Sequence, residues 1–417
     1  MSLSEYLYNH QQIALEEQKC HQKCLINMWC GTGKTRTFTM GVFRDNQTTN
    51  VIVFPSLGLI AQYCNDYILS HKEPFVSEFK KYKCLAFCSD DESKLKIKTD
   101  KIKYTTKEKT LNTFLKHKND KIILVTYQSF EKFINQIIER SITINNLIFD
   151  EAHHIVGDKI QNIVFNNEEL DECVEKTRYY TATPVNKNGI TMYDRDEPDN
   201  SDCGPLAYEY LYYQAVEDEV CKSFETQICL YTQKKEYTNK YLPIFECIIR
   251  ACLSGNYDYW NILTYHSFVN ESENVNENVS FVKDFACKQN QDLVKKLFTK
   301  IQNEEFPHTK NLYSVDDVIL KGVHSDTLNR QKTIDEFDKK VVGRIYILAS
   351  CGILNEGIDT KWANMGVPIN PTNSIVKESQ RIGRENRPSN RNLPGARRPH
   401  GGGYRAREAP LQYLPED

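Results

Sequence analysis

Two stretches of the chain carry residue types able to handle a phosphate and a metal ion. In "MWCGTGKT" (28–35), Gly31 and Gly33 permit a tight backbone whose N–H groups can converge on phosphate oxygens. Lys34 supplies an ammonium for β- and γ-phosphates, and Thr35 a hydroxyl for Mg²⁺. The usual template opens with glycine where this chain has Met28. Some 115 residues later, "LIFDEAHH" sets two adjacent carboxylates at the end of an apolar run. Asp150 fits a metal anchor and Glu151 a group that orients an attacking water. Each stretch alone has a bland reading, a Gly-rich turn and a helix-terminal charge pair. Their pairing favours phosphate chemistry.

Ligands of parallel α/β sheets gather beyond the carboxyl ends of the strands, so these motifs need strands that end at them. "CLINMW" (24–29) reads as a buried strand and "KTRTFTMGVFRD" as the helix after it. "VIVFP" (51–55), "KIILVTY" (121–127), "NNLIFDEAHH" (145–154) and "TRYYTATP" (177–184) repeat the theme. A second series, "YWNILTYHS" (259–267), "VILKGVHS" (318–325) and "RIYILAS" (344–350), follows a Gly-, Pro-, Asn- and Asp-rich stretch at 188–205. At 417 residues the chain exceeds what one core normally supports. The expected fold class is α/β, with two tandem domains on parallel sheets. Domain 1 is expected over residues 1–186, a linker over 187–204 and domain 2 over 205–388. An Arg-, Gly- and Pro-rich tail over 389–417 reads as disordered, or as the product of a shifted reading frame.

Taken together these residues resemble a known family. Gly31-Thr32-Gly33-Lys34-Thr35, Asp150-Glu151-Ala152-His153 and Thr181-Ala182-Thr183-Pro184 look like motifs I, II and III of the superfamily-two helicases. The DEAH-type branch that includes the helicase parts of restriction enzymes is the best match, and it often tolerates methionine at the first loop position. "SCGILNEGIDT" (350–360) is similar to motif V and "SQRIGRENRP" (379–388) to motif VI. The resemblance spans residues 5–388. It implies two RecA-like domains with ATP and Mg²⁺ in the cleft between them, and ATP hydrolysis coupled to movement on DNA or RNA, with DNA favoured.

The resemblance also assigns roles. Motif V offers Gly357 and Asp359 to the nucleotide. In motif VI, Gln380, Arg384 and Arg387 would be catalytic, the two arginines acting as fingers. His153, Thr181, Thr183 and Arg381 would couple the ATP site to the rest. In "NHQQIA" (9–14) Gln11 would read adenine, with Gln12 as the alternative. Pro55 and Ser56, Gln128 and Ser129, Tyr265 and His266, and Asn355 would contact the nucleic-acid backbone. Read from the residues alone, Ser, Thr and Gln at strand ends are commonly caps and turns. A family member continues after motif VI into a further strand, for which only "LQYL" (411–414) is available. That departure supports the alternative, a non-hydrolysing module that clamps nucleic acid or a protein partner. Protein partners in a larger assembly fit either reading. Heavy Lys, Asn, Ile and Tyr usage fits an AT-rich genome such as that of a large DNA virus.

Composition bounds the rest. The net charge of −3 makes no global electrostatic case for a polyanion. Residues 94–121 nonetheless hold ten lysines against Asp100, Glu108 and Asp120, a run that reads as a solvated loop and helix. No apolar run reaches membrane-span length, and the N-terminus lacks the apolar core of a signal peptide. Fourteen scattered cysteines point to reduced thiols in a cytosolic or nuclear compartment. Cys20-x₃-Cys24, beside His21, and Cys84-x₃-Cys88 resemble zinc half-sites, but core cysteines explain them better. Cys30, inside the phosphate loop, is a candidate for oxidative blocking of nucleotide. The aromatic-rich "LAYEYLYYQA" (206–215) has helical spacing and reads as packing between domains, with base stacking as the alternative.

Overall fold

The apolar runs become strands buried on both faces. A computed structural model describes residues 3–45, 49–88, 99–156, 160–185, 190–193, 201–223, 239–266, 281–324, 327–351, 360 and 362–369. Its first sheet is built from β1 (Lys23–Met28), β2 (Thr49–Phe54), β3 (Tyr82–Phe87), β4 (Ile102–Thr105), β5 (Asp120–Thr126), β6 (Ile144–Asp150), β7 (Val174–Thr181) and β8 (Leu206–Tyr210). The strand order is β4-β3-β5-β2-β6-β7-β1-β8, and every pairing is parallel.

Side chains alternate between the faces, so one strand feeds two cores. Ile52 and Phe54 join Ile26, Phe38 and Tyr63 on one side, while Val51 and Val53 join Leu25, Phe130 and Phe149 on the other. Each such fully buried apolar side chain stabilises the fold by about 1.5–3 kcal/mol. A sheet covered on both faces has no room to slip in register, because a one-residue shift would exchange the two sets. The strand ends that carry the motifs are therefore held firmly.

The second sheet, β9 (Trp260–His266), β10 (Val318–Val323), β11 (Ile345–Cys351) and β12 (Met365–Pro368), is also parallel, in the order β10-β11-β9-β12. The helices Leu242–Ser254 and Lys288–Glu304 cover one face through Phe245 and Phe298. Ile334 and Phe337 of the helix Arg330–Phe337 cover the other. The architecture is α/β, two tandem RecA-like domains on parallel sheets, as the motif order implied.

Three expectations need correction. The strand Leu206–Tyr210 was expected in domain 2 and its segment to pack at helical spacing. It is instead β8, added to the free edge of β1, with Trp29 N–H donating to the Tyr210 carbonyl at 2.9 Å. Backbone donors left at the β1 edge outweigh the local helical pattern. Only from Tyr212 to Glu217 does the segment become helix. Second, the lysine-rich run contains β4, in which buried Ile102 and Thr105 are interleaved with exposed Lys103. Third, Tyr265 and His266, expected on a nucleic-acid surface, are each 2% exposed. They lie on the inner strand β9, flanked by β11 and β12, with Tyr265 in the apolar cluster of Leu263 and Tyr346 and His266 bonded to Thr264 Oγ1 at 2.9 Å.

Candidate active site at the carboxyl edge of the first sheet

Because all eight strands are parallel, the ends of β1, β2, β5, β6 and β7 share one edge. The loop after β1 turns through Gly31 (φ 82°) and Gly33 (φ 90°), a left-handed backbone that favours glycine. Thr32 closes the turn, its hydroxyl donating to the Trp29 carbonyl at 2.7 Å. Helix α2 (Lys34–Asp45) then begins, so its first N–H groups and the loop amides point into the same space. Thr35, half-buried, lies in the first turn of that helix.

Helix α1 (Asn9–Glu17) supports this loop from behind. Gln11 is 1% exposed; its Oε1 accepts from the Tyr8 N–H at 3.1 Å and its Nε2 donates to the Thr32 carbonyl at 3.0 Å. A carboxamide has two donors and two lone pairs. Gln12 faces away, donating to the carbonyls of Ser4 and Leu7. Of the two glutamines, Gln11 is the one at the loop. The sequence did not single out His10, whose Nε2 donates to the same Thr32 carbonyl at 2.9 Å. Its ring stacks on Tyr210 at 4.2 Å with 1° between planes, which ties β8 to the loop. Burial holds the His10 pKa down, so the ring stays neutral. A histidine beside Gln11 carried no signal, because the stacking partner lies some 200 residues away.

A Cβ on Gly33 would stand 2.3 Å from Gln11 Nε2. Gly33→Ala therefore meets a positive φ and must also displace a hydrogen-bonded amide. We expect a loss of about 1–3 kcal/mol, measured by chemical denaturation. An unchanged midpoint would mean that the loop is not held in this form.

Asp150 ends β6, 4% exposed, and its Oδ1 accepts from the Glu151 N–H at 3.1 Å. Tyr127 Oη donates to the Asp150 carbonyl at 3.0 Å and pins the strand end. Glu151 adopts φ 49°, ψ 52°, a left-handed kink that a non-glycine residue rarely holds. The kink brings its Oε1 to 3.6 Å from Lys34 Nζ, joining the two motifs across the sheet. Lys34 is 8% exposed, and Nζ also reaches the Met28 carbonyl at 3.5 Å.

The two carboxylates are driven apart electrostatically. Burial first, and then the charge of Glu151, push the Asp150 carboxyl up to about 7, with Lys34 opposing. Burial would raise Glu151 too, but the Lys34 ammonium 3.6 Å away outweighs it and holds the carboxyl below its ordinary value. Burial pushes His153 down to about 4, so its imidazole is neutral.

His153 Nδ1 lies 3.0 Å from Thr181 Oγ1, and that hydroxyl donates to the Thr183 carbonyl at 3.0 Å. The Thr181 proton is thus committed, and Nδ1–H must be the donor of the first bond. His153 Nδ1 is also 3.5 Å from Glu151 Oε2. A continuous path of polar contacts runs from Lys34 through Glu151 and His153 to Thr181 and Thr183. Among the described residues Glu151 Oε2, His153 Nε2 and Thr183 Oγ1 are buried without a hydrogen-bond partner. Buried polar atoms seldom stay so, and three of them in one place mark where a polar ligand fits.

The donor set fits a nucleotide with magnesium. Loop amides and an ammonium suit phosphate, while Asp150 and the Thr35 hydroxyl are hard oxygen donors of the kind Mg²⁺ takes. When bound, the metal would supply charge neutralisation at the phosphates. Of the remaining expected sites, Ser56 caps the helix Leu57–Tyr63, its Oγ accepting from Leu59 N at 3.4 Å, with half-buried Pro55 before it. Gln128 is exposed and Ser129 Oγ accepts from Thr126 Oγ1 at 3.1 Å. These four lie at the ends of β2 and β5, on the same edge as the phosphate loop. Asn355, Gly357, Asp359, Gln380, Arg381, Arg384 and Arg387 fall outside the described residues. Cys30 is buried, its carbonyl accepting from Cys221 Sγ at 3.8 Å. Among the described residues no group of three or more His, Cys, Asp or Glu could hold a metal ion, and no helix is long and apolar enough to cross a membrane.

Comparison with known proteins agrees with this geometry. Residues 5–186 match the family model of the type III restriction enzyme res subunit. The ATP-dependent Type ISP restriction-modification enzyme LlaBIII bound to DNA is similar over 92% of this chain, at 18% identity and a TM-score of 0.62. A nuclease-deletion mutant of the Type ISP enzyme LlaGI, in complex with a DNA substrate mimic, is similar over 92%, at 18% identity and a TM-score of 0.55. The chain spans only about a quarter of either enzyme, 27% and 26% respectively. No curated protein matches the sequence. The family model thus covers the motif-bearing first domain, and the tandem-domain fold is shared with those enzymes.

Proposed function

We propose that the protein is a nucleic-acid-stimulated ATPase that moves along DNA. The observation that carries this reading is the joining of Lys34 to Glu151 at 3.6 Å, beside a glycine loop in left-handed backbone and an Asp150 at the strand end. In it, Lys34 and the loop from Gly31 to Thr35 hold the phosphates, Thr35 and Asp150 hold Mg²⁺, and Glu151 orients the attacking water. Gln11 meets the adenine, with Gly357 and Asp359 on the nucleotide. Gln380, Arg384 and Arg387 complete the site from the second domain, the arginines neutralising charge that builds at the γ-phosphate.

Coupling follows the contacts already described. Loss of the γ-phosphate would change what Glu151 faces, and His153 would pass the change to Thr181 and Thr183; Arg381 would share this role from the second domain. On this reading Pro55, Ser56, Gln128, Ser129 and Asn355 meet the strand's backbone, contacts that position without reading sequence. LlaBIII bound to DNA favours DNA over RNA as the track. The test is steady-state ATP hydrolysis with single-stranded DNA, duplex DNA and RNA, beside a Lys34→Ala control. At least tenfold stimulation by DNA, absent in the control, is expected. No hydrolysis with any polymer would overturn the reading and favour the non-hydrolysing clamp.

A further inference from the structure

The eight-stranded sheet ends on β4, and beside the start of that strand lies a cavity of about 440 Å³ that none of the motifs uses. Its size is within the range of small-molecule sites. Buried Phe79, Tyr82 and Phe114 give it an apolar floor from both sides of the sheet edge, while exposed Lys80, Lys83, Lys101 and Lys103 line it with one carboxylate, Asp100. Thr113 and His117, on and after the helix Glu108–Leu115, close one wall.

Several lysines of the domain are held by carboxylates. Lys81 sits on Glu78 at 2.7 Å, Lys176 on Asp45 at 3.3 Å and Lys132 on Glu108 at 3.6 Å. Among the described residues, no ion pair within 4 Å involves Lys80, Lys83, Lys101 or Lys103. This concentration of positive charge occurs in a chain whose net charge is −3, so it is not an average excess. Low-dielectric walls around a concave site focus such a field on an anion.

The cavity is separate from the phosphate loop. It is formed by the amino ends of β3 and β4, whereas the loop follows the carboxyl end of β1, six strands across the sheet. At about 4.8 Å per strand that is roughly 30 Å. An apolar floor under a cationic rim suits a ligand with a flat apolar part and a phosphate. We propose that this cavity is a second site for a nucleoside phosphate unit, either a free nucleotide or the terminal nucleotide of a nucleic-acid strand. The base packs against the apolar lining, and the phosphate meets the lysines.

The test uses the full chain carrying Lys34→Ala, so that it depends neither on hydrolysis nor on the phosphate loop. Binding of a fluorescent AMP and of a labelled single-stranded oligonucleotide is followed by anisotropy. At least one probe is expected to bind, and to lose tenfold or more in affinity with Lys83→Glu/Lys103→Glu. The same loss is expected with Thr113→Trp, which fills the cavity from an exposed helical position without changing charge. Lys132→Glu, at a lysine already paired, should change binding less than threefold. Loss for AMP identifies a free nucleotide as the ligand, and loss for the oligonucleotide alone identifies a strand end. Because all these positions are exposed, thermal midpoints should stay near that of the parent. The proposal is overturned if neither probe binds, if Lys132→Glu weakens binding equally, or if charge reversal acts while Thr113→Trp does not. The last result would describe a charged patch without a pocket.

Discussion

Lys34→Ala should lower ATP turnover at least about 10³-fold while the thermal midpoint stays close to wild type. The ammonium is buried between the phosphate loop and Glu151, where fixed charges are worth far more than in water. Without it, Glu151 and Asp150 face each other with no counter-charge, and both carboxyls shift upward. Glu151→Gln should cost a similar factor in turnover but leave nucleotide affinity nearly unchanged, because it alters the group aimed at the water rather than the phosphate cradle. Nucleotide affinity thus separates the two variants, Lys34→Ala losing tenfold or more. If both variants turn over within tenfold of wild type, the site lies elsewhere.

Asp150→Asn should remove turnover and yet stabilise the unliganded protein at neutral and higher pH. The carboxyl of Asp150 is held up at about 7, against an ordinary value of 3.8. Between those values the folded chain holds a proton that the unfolded chain has released, so folding stability falls as pH rises through that window. Above it the full penalty is present, and below about 4 none of it is. The asparagine variant lacks the penalty, and its advantage should grow from pH 4 to pH 8. About 2 kcal/mol would raise the midpoint by roughly 4–8 °C.

Glu151→Gln should behave in the opposite sense. Its carboxylate is held below the ordinary value, so it stabilises at neutral pH and loses that contribution as pH falls through its lowered folded value. Opposite pH dependences at adjacent carboxylates follow from one acid being buried beside a like charge and the other facing Lys34. Differential scanning fluorimetry across pH 4–8 reads the Asp150 window, and extending the scan below pH 4.5 reads that of Glu151. An asparagine variant less stable than wild type at pH 8 would show that Asp150 is not strained by burial.

Local pattern was enough for much of the molecule. The strand preceding Gly31 and the strand ending in Asp150 were legible, because a strand buried on both faces is a short unbroken apolar run. That Lys34 and the Asp150–Glu151 pair serve one site was legible as well, since phosphate chemistry asks for an ammonium and carboxylates together; the direct contact of Lys34 with Glu151 was not. Two parallel α/β domains followed from the same runs and from the polar stretch between them.

What the sequence left open depends on partners far away in the chain. Leu206–Tyr210 has the spacing of a helix, and only the free edge of β1 makes it a strand. Tyr265 and His266 look like polar groups at a strand end, yet two flanking strands bury them. Gln11 and Gln12 are equivalent as letters. The direction of α1 alone turns one toward Thr32 and the other toward Ser4. The lysines of residues 94–121 read as solvated because a charge run says nothing about concavity. Lys101 and Lys103 of that run join Lys80 and Lys83 around a cavity only once β3, β4 and the helix Glu108–Leu115 pack around a void. Periodicity determines which residues are buried, whereas the long-range pairing of strands decides what they are buried against.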